Sequence, residues 1–172
     1  MTSPEATAAG PSSDGAGKYL LVIGLGLAVV ALDQWSKLWI DATMRLYESI
    51  PVVDGFFNLT YVRNKGAAFS LFADMPAEFR LPFFVGAALL GVIAIFYFVY
   101  QTPRSDKVVL FACGFILGGA VGNLVDRVAY GSVIDFLDVY RGDWHWPAFN
   151  VADSFITTGV VLLLLQSFFS RD

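Results

Sequence analysis

Four stretches of the chain are almost wholly apolar: residues 19–40, 81–100, 108–125 and 151–169. A helix needs about 20 such residues to cross the hydrocarbon core of a bilayer. The second stretch, LPFFVGAALLGVIAIFYFVY, carries no charged residue. The pattern predicts four transmembrane helices. A different period appears between the first two. In IPVVDGFFNLTYVRNKG, Phe57, Leu59 and Tyr61 alternate with Asn58 and Thr60, the period of a half-buried strand. Asp54-Gly55 between two apolar runs is a hairpin signal. A small sheet over about 49–70, lying on the membrane surface, is expected. Residues 1–17, MTSPEATAAGPSSDGAG, are small and polar. They cannot bury a core and are expected to be a disordered tail, leaving one domain over 18–172.

The first apolar stretch could be a cleaved signal peptide, because Lys18 precedes the run 19–32 as a charged n-region precedes an h-region. No small-x-small cleavage site follows. The run continues into Asp33-Gln-Trp-Ser-Lys37, so it reads as a retained helix. Composition agrees with a membrane protein. Of the 172 residues, 56% are hydrophobic and 15% charged, against roughly a quarter charged in soluble domains.

Charge and rare residues narrow the chemistry. The net charge is −4 and no basic run exists, which gives no footing for nucleic acid. The only cysteine, Cys113, lies inside the third apolar stretch, and the only histidine is His145. An intrachain disulfide and a zinc site of several His or Cys ligands are both excluded. A Ser-His-Asp triad would have to use His145. Its neighbours Trp144 and Trp146 instead suggest an aromatic belt at headgroup depth.

Alternating spans bring the end of the first helix, the end of the third and the start of the fourth to one side, along with both long loops. Asp33 and Lys37 lie about 21 and 27 Å up the first helix at 1.5 Å per residue. Asn123 and Asp126 close the third helix; Asn150 and Asp153 open the fourth. The opposite side has only the short loop 101–107, with Lys18, Arg104, Lys107 and Arg171 near the helix ends. The positive-inside rule favours that side as cytoplasmic.

Each cluster has a plain alternative. Asp33 and Lys37, at i and i+4, could be a local ion pair. A Ser36/Lys37 dyad is disfavoured, because adjacent helical residues point about 100° apart. Asn123, Asp126 and Arg127 fall at i, i+3 and i+4, and Asp126 with Arg127 could be a salt bridge at a helix end. Gly114, Gly118 and Gly122 repeat every four residues, a stripe that admits a neighbouring helix closely. Asp135 sits among apolar residues, and poor solvation raises a carboxyl pKa. Asp138 and Asp143 read as turn or surface acids. Asn150 and Asp153 have the spacing of a capping box. Yet two carboxyls brought together share one proton, and such a pair can activate a water.

Five segments occur in order: Asp33-Gln-Trp-Ser-Lys37, Asn64-Lys-Gly-Ala-Ala-Phe-Ser70, Gly122-Asn-Leu-Val-Asp-Arg127, Val133-Ile-Asp135-Phe136 and Phe149-Asn-Val-Ala-Asp-Ser154. Together they resemble the lipoprotein signal peptidases (signal peptidase II) of bacteria, from about residue 19 onward. The resemblance implies an all-α membrane protein: a four-transmembrane-helix bundle with a small extracytoplasmic β-cradle and a short periplasmic helix. It implies an aspartic endopeptidase that cuts diacylglyceryl-modified prolipoproteins just before the lipidated cysteine. The catalytic pair maps onto Asp135 and Asp153. Supporting residues map onto Asp33, Lys37, Asn64, Asn123, Asp126, Arg127 and Asn150. No metal or other cofactor is implied. The expected partners are prolipoproteins and membrane lipids, with the chain as a monomer. The expected location is the bacterial inner membrane, with both termini cytoplasmic and the site near the periplasmic face. Read from the residues alone, the rivals are a small transporter or proton relay using the same acids, and a scaffold whose acids are all ion pairs.

Overall fold

The computed structural model describes residues 16–66, 71–72 and 74–169. Most of the expected tail, residues 1–15, lies outside that range. Ala16 and Gly17 do not belong to a tail, because they open the first helix. Four helices are long and apolar enough to cross a membrane: α1 (Ala16–Thr43), α2 (Ala77–Gln101), α3 (Lys107–Tyr130) and α4 (Val151–Phe169). Three run further than the apolar stretches alone indicate, by adding polar turns at their ends. At α3 the gain is more than a turn, so Asp126 and Arg127 lie inside the helix rather than at its end. The helix stops at Gly131, whose φ of 69° is left-handed and whose N–H bonds Arg127 O, a glycine C-cap.

α3 is the central helix. It packs against α1, α4 and α2, and 56% of its apolar window is buried, against 11% for α2 and α4. The exposed side chains of α2, among them Leu89, Leu90, Ile93 and Tyr97, form the face a bilayer would cover. The glycine stripe sets the spacing of the bundle. A Cβ at Gly118 would lie 2.6 Å from Gly26 O on α1, and one at Gly122 would lie 2.6 Å from Oδ2 of Asp33. Gly119 does the same for α4, with Ala152 O 2.5 Å from its missing Cβ.

The cap is one antiparallel arrangement in the order β1-β2-β3-β4, with β1 Ser49–Val53, β2 Phe57–Asn64, β3 Val133–Arg141 and β4 Trp144–His145. The expected hairpin turns at Gly55, whose φ is 76°. The expected simple alternation in β2 does not hold: Asn58 and Tyr61 are its buried residues. The β2–β3 register shifts between Leu59 and Val62, and a bulge there reverses which side faces inward. Ile40 of α1 and Met44, just past its end, pack with Tyr61, Ile134 and Phe136, fixing the cap on the bundle. Phe149 then joins β3 to the start of α4: its carbonyl accepts from the N–H groups of Phe136 (2.9 Å) and Leu137 (2.8 Å). Among the described residues there is no fifth helix to match the short periplasmic helix that the resemblance implied.

Candidate active site

β3 and α4 each bring a carboxylate to one place. Asp135 is the third residue of β3, and Asp153 lies in the first turn of α4. Both line an open cavity of about 1160 Å³ between the bundle and the cap. Asn64, Asn123 and Arg127 line it too. Three asparagine amides hold the acids. Asp135 accepts from Asn150 Nδ2 (2.7 Å) and Asn64 Nδ2 (3.0 Å). Asp153 Oδ1 accepts from Asn123 Nδ2 (2.8 Å). The capping box also forms: Asp153 N–H donates to Asn150 Oδ1 (2.9 Å), and Asn150 N–H to Asp153 Oδ2 (3.3 Å). The capping role expected of Asp153 is therefore observed, and the same side chain lines the cavity. The cap fixes its rotamer, and Asn123 takes its outer oxygen.

Beneath this layer is a second one. Lys37, 1% exposed, contacts Asp33 Oδ2 (2.8 Å), Asp126 Oδ2 (3.1 Å) and Asn123 Oδ1 (2.9 Å). An ammonium has three donors, and all three are used. Asp33 Oδ1 also accepts from Ala152 N (2.9 Å), and Asp126 Oδ2 from Ile134 N (3.0 Å). The deep acids thus tie α1 and α3 to the chain segments that carry Asp153 and Asp135. Lys37 fixes the amide of Asn123 with its oxygen inward, so its NH₂ must face Asp153.

Burial of Asp135 pushes its pKa from 3.8 up to about 7; the nearby Asp153 charge adds to this, while the Asn64 and Asn150 hydrogen bonds and Lys37 oppose it. Loss of hydration disfavours the charged form, and a like charge does the same. A carboxyl raised to that range can hold its proton near neutral pH and so act as a donor in general acid–base chemistry.

Other expectations change. Asp126 and Arg127 do not pair. Being adjacent on α3 they diverge: Asp126 turns to Lys37 on α1, while Arg127 donates to Asn123 O (3.2 Å) and Gly66 O (2.8 Å) and lies 4.2 Å from the Phe84 ring centroid. Asp138 is not a surface acid. It is 8% exposed, accepts from Asn58 Nδ2 (3.0 Å), and contacts His145 Nδ1 at 2.9 Å. His145 is therefore held by an acid and stacked on Tyr140 (4.9 Å), rather than free in an aromatic belt. The motif run Asn64–Ser70 is seen only as far as Gly66; residues 67–70 lie outside the described range. Sequence reasoning missed Gln34. Its Nε2 reaches Asp126 Oδ1 (2.9 Å), Gly122 O (3.2 Å) and Asp33 Oδ2 (3.2 Å), clamping α1 to α3. Its place next to Asp33 was the available signal.

Fold and site define a polytopic membrane protein with two carboxylates, each held by asparagine amides, in one cavity at the ends of its helices. A family profile described as Signal peptidase (SPase) II matches residues 25–169. Lipoprotein signal peptidases of Geobacter sulfurreducens (52% identical; 86% of this chain and 91% of that protein) and Syntrophus aciditrophicus (47%; 86% and 90%) are similar along nearly their whole length. A solved structure described as a bacterial membrane enzyme superposes with a TM-score of 0.76 at 33% identity, covering 88% of this chain and 91% of that one. The chain belongs to the signal peptidase II family of membrane proteases.

Proposed function

We propose that this protease removes signal peptides from diacylglyceryl-modified prolipoproteins, cutting just before the lipidated cysteine at the Asp135/Asp153 pair. The observation that carries this is the convergence of the two acids, from β3 and α4, in one cavity with their asparagine donors. A water held between the carboxyls loses a proton to the ionised member as its oxygen bonds the scissile carbonyl carbon. The protonated member donates a hydrogen bond to the carbonyl oxygen. Collapse of the tetrahedral adduct breaks the C–N bond, and the proton taken from water passes to the leaving nitrogen. The shared proton is a property of the pair.

The chain acts as a monomer without a cofactor, in the bacterial inner membrane. The side bearing Lys18, Arg104 and Lys107 is cytoplasmic, with both termini, and the cavity opens near the periplasmic face. Substrate already in the bilayer gains little further transfer energy from its acyl chains, so these set the depth of the scissile bond, an orientation effect. The test incubates purified protein with matched lipidated and unlipidated precursors in the same membranes and reads intact mass. The lipidated precursor loses the mass of its signal peptide, and the unlipidated one is cut far more slowly. An uncut lipidated precursor, with proton flux across the same vesicles, would favour the relay instead.

A further inference from the structure

A second, smaller cavity of about 160 Å³ lies where α2 begins and α3 ends, lined by Arg80, Leu81, Phe84, Arg127 and Gly131. That is several times the ~30 Å³ share of one water in the liquid, room for a tetrahedral oxyanion. Two guanidinium groups line it. Neither forms an ion pair among the described residues. Arg80 Nη2 donates to Met75 O (2.8 Å), and Arg127 donates to Asn123 O and Gly66 O. All three acceptors are neutral carbonyls. Among the described residues, the buried Nε of each arginine has no hydrogen-bond partner. Leaving a buried donor unpaired is costly, and native structures hold few of them. Here two occur on two cations at one cavity.

Arg127 also lines the large cavity, where Asp153, Asp135 and Asp126 attract it. Arg80 has no paired acid; Glu78 and Asp74 are close in sequence but form no ion pair with it among the described residues. Arg80 is only partly buried and lines the cavity, so its apolar stem can lie against the helix while its head stays reachable there. The location also matters. Arg80 stands at the start of α2, which has no side-chain cap at Pro76, so the positive helix end lies nearby; the negative end of α3 at Gly131 offsets part of this. Exposed Phe79 and Leu81 flank it, an apolar surface that begins at the same level.

We propose that the Arg80–Arg127 cavity binds the phosphate of an anionic phospholipid headgroup, whose acyl chains run down the exposed face of α2. Planar guanidinium forks match phosphate oxygens, and the bound oxyanion would accept from the Nη–H groups that the carbonyls leave over. The chemistry is that of a phosphate oxyanion, and free phosphate is the other possible source. The site does not depend on the proteolytic reading, so its test reads binding alone. Purified full-length chain is titrated with phosphatidylglycerol, phosphatidylcholine or inorganic phosphate, and native mass spectrometry counts adducts. One phosphatidylglycerol is retained per chain, at least tenfold more tightly than phosphatidylcholine. Arg80→Gln loses that tenfold preference, and Arg80→Lys, which keeps the charge and the fold but not the fork, retains only part of it. Arg45→Gln, an equal charge loss on the cap side, binds as wild type. Unchanged binding in Arg80→Gln, or equal loss in Arg45→Gln, overturns the proposal. Displacement of the lipid by millimolar phosphate, with an Arg80-dependent phosphate adduct, assigns the site to the free ion and overturns the lipid assignment.

Discussion

At the level of single residues, the acids divide by partner. Asp33 and Asp126 share the one ammonium of Lys37, whereas among the described residues Asp135 and Asp153 receive amide and N–H donors in direct contact and no ion pair. This division was partly legible. The i, i+4 spacing gave the Asp33–Lys37 pair, and the apolar flanks of Asp135 gave its poor solvation. The Lys37–Asp126 contact was not legible, since it spans 89 positions of sequence and depends on how closely α1 meets α3. Removing one partner from a buried ion cluster costs about 3–5 kcal/mol, because the other charges are stranded. Lys37→Met should therefore lower stability by that order in denaturant unfolding. Ser36→Ala, which loses one helix-internal bond to Asp33 O, should cost under about 1 kcal/mol. Equal losses would mean that the cluster is not the structural anchor. A second expectation concerns pH. With Asp135 raised to about 7 and the pair working with one proton, kcat/KM should fall as pH rises through about 7. The Asn64 hydrogen bond favours ionised Asp135, so Asn64→Ala lets the pKa rise further, and the falling limb should move to higher pH in whatever activity remains. A limb that stayed put or moved acidic would remove Asp135 from that role.

Among the elements, α3 decides the geometry. Its glycines allow α1 and α4 to close on it, and only that closeness lets Lys37 of α1 reach Asn123 and Asp126. The stripe Gly114, Gly118, Gly122 was readable as a contact face; that Gly122 sits against the carboxylate of Asp33 was not, because it requires the rotation of α1. The hairpin was readable from Asp54-Gly55, while the bulge after Leu59 was hidden, since its register is set by the distant strand β3. Gly118→Leu would drive side-chain atoms into Gly26 O and Val29. Overpacking costs typically about 1–3 kcal/mol and here also parts the helices. We expect a clear drop in melting temperature and in activity. Gly24→Leu on α1, where a Cβ meets nothing within 4 Å, should melt as wild type. If both melted alike, close approach along the stripe would not be what holds the site together.

For the whole molecule, four helices and a cap bring Asp135 and Asp153 to one cavity at the ends of the helices. Helix number and the side on which the polar residues gather were open to reading, because hydropathy and alternating direction fix them. The cavity was not, because its walls come from β2, β3, α3 and α4 together and no local pattern encodes their gap. The central claim is that Asp135 and Asp153 jointly perform the cleavage, with Lys37 and the asparagines positioning them. The direct measurement is the rate of signal-peptide removal from a lipidated precursor by wild type, Asp135→Asn, Asp153→Asn and the exposed control Asp143→Asn, each shown folded by its melting curve. Both dyad variants should be folded and inactive, since an amide keeps the shape of the carboxyl but cannot exchange its proton, and Asp143→Asn should cut at the wild-type rate. A folded Asp135→Asn or Asp153→Asn that cleaves at the wild-type rate would contradict the account.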